Sequence, residues 1–230
     1  MLARSIFIFL ICGFTATVSH TQLSIDVGYF GSTLVPNNIR PVIQAFNSYI
    51  PDNARKMKRM NYMNGFSFGI SSTGNPANLM FEYNGTFASL SAKRLLNANN
   101  AQYNYIFNYS THAVGPGFNV EAGKRLLIGS SLLYNFMSFK NYTSDNNKRE
   151  VLKKHQVISI KPFFDIIMGH ESDRVNASLR FYANIPLGKT DISNVYRTLD
   201  PEGRAGLSQG ELNTRMTTLG ISIILHNKRF

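Results

Sequence analysis

Apolar and polar side chains alternate with period two along almost the whole chain, and this feature narrows the possible folds most. Val175, Ala177, Leu179, Phe181, Ala183 and Ile185 fall on one face of an extended segment, with Asn176, Ser178, Arg180, Tyr182 and Asn184 on the other. Just before it, Ile158, Ile160, Pro162, Phe164, Ile166 and Met168 share a face against Ser159, Lys161, Phe163, Asp165 and Ile167. Equivalent apolar faces recur at Leu23/Ile25/Val27/Tyr29, Phe66/Phe68/Ile70, Leu79/Phe81/Tyr83/Phe87, Phe118/Val120/Ala122, Leu126/Ile128/Leu132/Tyr134/Phe136 and Leu219/Ile221/Ile223/Leu225. The pattern predicts about eight strands. At 43% hydrophobic and 16% charged the chain is too apolar for disorder, and its one cysteine, Cys12, leaves no intramolecular disulfide to hold the fold.

The N-terminus has a different character. One positive charge in Met1–Arg4 precedes an apolar run, Ser5–Val18, of about 14 residues, the length of a signal-peptide core and too short to span a bilayer as a helix. Residues 1–22 therefore read as a secretory signal peptide and 23–230 as the mature domain. The mature part contains no apolar stretch long enough for a transmembrane helix.

The predicted connections alternate long and short. Long ones cover Val35–Asn61, Ala92–Pro116, Asn141–Lys154 and Leu187–Gly210; tight ones lie at Ser72–Pro76, Gly123–Arg125 and His170–Arg174. With the leader, the amphipathic strands and the terminal Phe230, the chain resembles the small OmpA-type outer-membrane β-barrel family of Gram-negative bacteria. The resemblance implies an all-β, eight-stranded antiparallel up-and-down transmembrane barrel in the cell outer membrane. It also implies that Phe230 is an assembly signal read by the barrel-assembly machinery. Ile224 shares the phase of Phe230, whereas Leu225, Ile223 and Ile221 form the stronger apolar phase.

The polar faces support that solvent assignment. They are rich in Gly and Ser (Ser24, Gly28, Gly65, Ser67, Gly69, Ser71, Gly129, Ser131), which suit a narrow lumen better than a water-facing outer wall. Their charges, Asp26, Glu82, Glu121, Lys161, Asp165 and Arg180, are expected to form an internal network, because buried charges must be paired. Tyr29, Tyr83, Tyr109, Tyr134 and Tyr142 near strand ends are candidates for an interfacial girdle.

The excess of 24 Lys and Arg over 13 Asp and Glu lies outside these strands. Arg55, Lys56, Lys58 and Arg59 in the first long connection, with Lys148, Arg149, Lys153 and Lys154 in the third, are the expected contacts to lipid phosphates or another surface. Outer-membrane lipids, including lipopolysaccharide, are the partners this implies, with no nucleic acid and a monomeric state.

Catalytic signals are sparse. His112 with Ser110, and His155 with Glu150, are the histidine pairings on the loop side, and no G-x-S-x-G occurs. Asp200–Glu211 imitates a calcium loop, but Arg204 takes a ligand place and Ala205 the place of the glycine. The expected function is therefore structural, adhesive or surface-binding, without a catalytic centre, cofactor, metal or wide pore. Two other readings fit the same pattern: a secreted soluble barrel around an apolar ligand, and a lipid-modifying outer-membrane enzyme.

Overall fold

Antiparallel pairing of the amphipathic segments closes into a ring. The computed structural model describes residues 23–35, 37–52, 54–58, 60, 62–72, 77–95, 102–143, 148–169 and 175–227. The leader, Arg59, Phe230 and the side chain of Lys148 lie outside the described part. The elements are β1 (Leu23–Leu34), α1 (Ile39–Ser48), β2 (Met63–Ser72), β3 (Ala77–Leu95), β4 (Gln102–Gly123), β5 (Leu126–Thr143), β6 (Lys148–Met168), β7 (Val175–Pro186), β8 (Thr190–Asp191), α2 (Ser193–Leu199), β9 (Asn213–Thr214) and β10 (Thr218–Asn227). Strands β1–β7 and β10 form a closed eight-stranded barrel with first-to-last pairing, in which Val27 sits opposite Leu225 and Tyr29 opposite Ile223. Within the closed part each barrel strand has two neighbours, so no sheet edge faces lipid there. No described helix is long and apolar enough to cross a membrane.

The wall carries its apolar face outward. Leu23, Ile25 and Val27 of β1, Phe66 and Phe68 of β2, Ile158, Ile160 and Phe164 of β6, and Leu219, Ile221, Ile223 and Leu225 of β10 are all exposed. Ser24, Asp26, Ser67, Ser71, Asn119, Ser131, Ser159, Ser178 and Ser222 point inward and are buried. A soluble barrel around an apolar ligand would have the opposite arrangement, so that alternative fails on sidedness. On β6 the outward apolar positions run from Met168 to Ile158, matching the roughly 9–11 residues that a tilted strand needs to cross hydrocarbon. Close approach in the lumen explains one glycine directly: a Cβ on Gly65 would lie 2.2 Å from the Phe30 ring and 2.3 Å from the Gly85 carbonyl.

Four strands outrun the membrane. β3, β4, β5 and β6 have 19, 22, 18 and 21 residues, against 10–12 for β1, β2, β7 and β10. Ala92–Pro116 and Asn141–Lys154, expected as long connections, are therefore mostly continuous strand. Along the extensions the two faces exchange character; the period-two phase is kept on β3, β4 and β5, whereas on β6 a bulge at Leu152 shifts it by one residue. On β5, Tyr134 and Phe136 face outward and are followed on that face by Ser138 and exposed Lys140, while inward Asn135 gives way to buried Met137 and Phe139. On β3, outward Phe87 is followed by Ser89, Ser91 and Lys93, and inward Glu82 and Asn84 by Ala88, Leu90 and Ala92. Such an exchange is what a wall requires where the medium outside changes from hydrocarbon to water.

The apolar inner face of the extensions is covered by the two connections that do fold as excursions. Ile39, Val42, Ile43 and Phe46 form one stripe of α1 at helical spacing, and Ile192, Val195 and Leu199 do the same around α2. They pack with Met57, Met60, Leu212 and Met216 onto Leu90, Phe107, Tyr109, Met137, Phe139 and Leu152 in one buried core. Phe107 and Phe139 stack at 5.9 Å, and Phe46 meets Tyr105 at 4.7 Å. The loop end of the barrel thus carries a cap with a core of its own. Tyr109, expected in the girdle, is buried in that core at 3% exposure.

Candidate functional site: lumen network, cap and outer wall

The lumen charges gather in two groups. Asp165 and Arg180 are cross-strand partners on β6 and β7, which places the guanidinium Nε 2.7 Å from Oδ1 and Nη2 2.8 Å from Oδ2. From the opposite wall, Glu82 on β3 accepts hydrogen bonds from Lys161 Nζ at 3.0 Å and Arg180 Nη1 at 3.4 Å. Lys161 also donates to Asn84 Oδ1 at 3.0 Å. The four side chains are at most 5% exposed and carry two positive and two negative charges, so the quartet is neutral as a unit. Aromatic rings complete it: Arg180 lies 3.8 Å over Phe163, and Lys161 4.8 Å over Tyr182.

Asp26 belongs to the second group, nearer the turn end. Its partner His226 faces it directly in the β1–β10 register, with Nδ1 2.6 Å from Oδ1, and Ser24 and Ser71 also donate to the carboxylate. His226 contacts Ser178 through Nε2 at 2.7 Å. His226 lies on the less apolar phase of the last strand, shared with Ser222 and Ile224, and is not among the lumen residues expected from the sequence. The closing register, which sets it opposite Asp26, is the signal that finds it. Ile224, matched above to the phase of Phe230, points inward beside Ser222 and His226. Glu121 does not join either group: the β4–β5 register shifts between Glu121 and Gly123, just before the Lys124–Arg125 turn, and its side chain is exposed.

The basic residues separate by face. Arg55, Lys56 and Lys58 are exposed in the cap, where the Arg55 carbonyl accepts a hydrogen bond from the Lys93 amide at 2.8 Å. Lys56 pairs with Asp52 at 2.6 Å. Arg149 and Lys154 are exposed on β6. Lys153 instead turns to the cap and pairs with Asp191 at 3.1 Å. The Asp191 carboxylate also takes hydrogen bonds from the Ser193 hydroxyl and amide, and these contacts, with Lys153, hold its pKa down to about 2.

A depressed carboxylate stabilises the fold above its ordinary titration range, near 3.8, and this contribution is lost as pH falls through about 2. Asp191→Asn is therefore expected to loosen the cap relative to wild type at pH 4, with the difference closing towards pH 2. Pepsin cleavage rates of the two proteins across that range provide the check.

Neither candidate histidine is hydrogen-bonded to its expected partner, Ser110 or Glu150, among the described residues. His112 lies on the outer wall, with Nδ1 2.6 Å from the Tyr83 hydroxyl and its ring edge-on to Phe87. His155 is half-buried on the inner side near Lys153 and Asp191, while Glu150 is exposed higher on the strand. Asp200 in the calcium-like segment accepts bonds from the Arg204 and Ala205 amides and the Tyr49 hydroxyl. Its carboxylate is thus occupied in shaping the turn. No group of three or more potential metal ligands gathers among the described residues.

Among the described residues, a closed eight-stranded antiparallel barrel with an apolar belt outside and a polar lumen has the architecture of an outer-membrane-type transmembrane β-barrel. No family model and no curated protein matches the chain. Among solved structures, it is similar to Ail of Yersinia pestis, in complex with the heparin analogue sucrose octasulfate, at 11% identity and a TM-score of 0.45, covering 90% of this chain and 98% of that one. Neisserial surface protein A is similar at 7% identity and a TM-score of 0.45, covering 90% and 96%. The outer membrane protease OmpT of Escherichia coli follows at 9% identity and a TM-score of 0.38, covering 91% and 97%. Likeness at this level carries nothing about what this chain binds or does.

Proposed function

We propose that this protein is a monomeric, non-catalytic surface protein of the outer membrane, exported by the leader in residues 1–22. In this reading the barrel is a filled anchor and the capped loop end is the working surface. The observation that supports this most directly is the exchange of faces along β3–β6, with a buried apolar core inside the upper wall. Such a core closes the loop end, and the salt-bridged quartet with Phe30, Phe163 and Tyr182 occupies the lumen below it. Adhesion or binding through the basic residues of the cap and upper wall then follows, with outer-membrane lipids, lipopolysaccharide among them, as immediate neighbours.

The test is reconstitution of the purified chain in planar bilayers. The expected result is heat-modifiable, detergent-extracted protein that inserts without adding steady conductance. Long-lived openings of porin size would contradict the filled-anchor reading, and recovery in the soluble fraction without detergent would contradict the membrane reading. Altered lipid acylation in expressing cells, abolished by His112→Ala, would contradict the non-catalytic assignment.

A further inference from the structure

On the outer wall, where the faces exchange character, lies a groove of about 690 Å³ bordered by Tyr62, Phe87, Asn108, Ser110, Lys140 and Arg149. Its chemistry is graded with height. At the foot, Phe66 stacks on Phe87 and His112 meets Phe87 edge-on, continuous with the apolar belt. One step up, register aligns Ser89, Asn108 and Lys140 across three neighbouring strands, with Ser110 beside Phe87 in the row beneath. Above them Tyr142 and Arg149 face each other across β5 and β6.

The lining contains no Asp or Glu, and neither Lys140 nor Arg149 forms an ion pair with a described residue. Nothing in the groove neutralises those two cations, so the complementary ligand is anionic. A row of hydroxyls and carboxamides below them is suited to hydrogen-bonding a polyhydroxylated ring, and the aromatic foot is suited to an alkyl chain.

We propose that this groove binds one phosphorylated glycolipid of the surrounding leaflet. Lys140 and Arg149 hold the phosphate, Ser89, Asn108 and Ser110 contact the sugar, and an acyl chain descends over Phe87 and Phe66. The proposal rests on the membrane reading and adds to it a specific site. It concerns residues on the outer wall rather than the basic cap.

The test uses the full chain purified from outer membranes in mild detergent and stripped of lipid. Native mass spectrometry then measures retention of bis-phosphorylated lipid A, the same lipid after phosphatase treatment, and phosphatidylglycerol. The expected result is one equivalent of the phosphorylated glycolipid held about tenfold better than either control, the scale of a charge-assisted hydrogen bond. The double variant Lys140→Gln/Arg149→Gln should lose that preference. Lys154→Gln, which removes a cation from the same wall outside the groove, should keep it.

Equal retention of the dephosphorylated lipid would overturn the phosphate assignment, and equal retention of phosphatidylglycerol the sugar assignment. Equal weakening by Lys154→Gln would reduce the site to diffuse surface charge. In each case the protein would still fractionate and insert as a barrel, so failure of the site is distinguishable from failure of the membrane reading. Heat-modifiable migration of each variant confirms that it has folded.

Discussion

Replacing Arg180 with Met is expected to destabilise the barrel by about 3–5 kcal/mol, the range found when one partner of a buried ion pair is removed. Asp165 is fully buried, and Arg180 supplies both of its charge-assisted hydrogen bonds in a forked geometry. The variant removes the only cation hydrogen-bonded to Asp165 among the described residues and leaves Lys161 as the one cation shared by Glu82 and Asp165. The double variant Arg180→Met/Asp165→Leu removes one charge of each sign and keeps the Glu82–Lys161 pair, so it should recover more than half of the loss. Urea unfolding of vesicle-reconstituted protein, followed by heat-modifiable gel migration, measures both. A double variant as unstable as the single one would show that the quartet's charge balance is not what holds the lumen.

Phe139→Ala is expected to open the cap while leaving the transmembrane barrel closed. Phe139 is fully buried, stacks on Phe107 at 5.9 Å and lies 5.0 Å from Tyr109, beneath the helices of the cap. A buried Phe-to-Ala change costs about 3–5 kcal/mol. Here that cost falls on a unit packed onto the barrel rather than woven into it, so local opening should precede global unfolding. Trypsin cleavage at the exposed Arg55, Lys56 and Lys58 is the readout, and it should accelerate at least about a hundredfold at that cost in free energy. Phe164→Ala on the lipid-facing wall is the control and should leave cleavage unchanged. Cleavage unchanged in both variants would mean that the excursions are held by something other than the core beneath them.

The parts of the fold legible in the sequence are those where one solvent lies on one side throughout. Val175–Ile185 and Ile158–Met168 each keep one unbroken apolar face because hydrocarbon faces every second residue along the whole segment. The extensions were not legible by the same rule. Leu90 and Ala92, Phe107 and Tyr109, and Met137 and Phe139 continue the phase of the polar lumen residues. A reading that requires one face to stay apolar therefore stops the strand where the protein only changes solvent. The correct rule keeps the period and allows the polarity to invert.

Ile39, Val42, Ile43 and Phe46 have the spacing of a helical stripe, but a ten-residue helix inside a connection rich in basic residues is masked by the charge that dominates the segment. At the candidate site, strand phase was enough to bring Asp26, Glu82, Lys161, Asp165 and Arg180 to the lumen. Register was needed to add His226 and to remove Glu121, and single-strand patterns carry no information about register. The outer-wall groove was invisible for the same reason: Ser89, Asn108 and Lys140 become neighbours only once three strands are paired.

The central claim, that the alternating apolar face is bathed in lipid and that water replaces lipid at the exchange level, has a direct measurement. Cys12, the chain's sole cysteine, lies in the leader, so single cysteines introduced at Ile221, Ser222, Phe136 and Lys140 of the mature domain can carry nitroxide labels, and their collision rates with oxygen and with a water-soluble nickel complex can be compared in vesicles. The account predicts oxygen-dominated collisions at Ile221 and Phe136, little access to either reagent at Ser222, and nickel-dominated collisions at Lys140. Nickel access at Ile221 and Phe136 equal to that at Lys140 would put water against the belt and contradict the account.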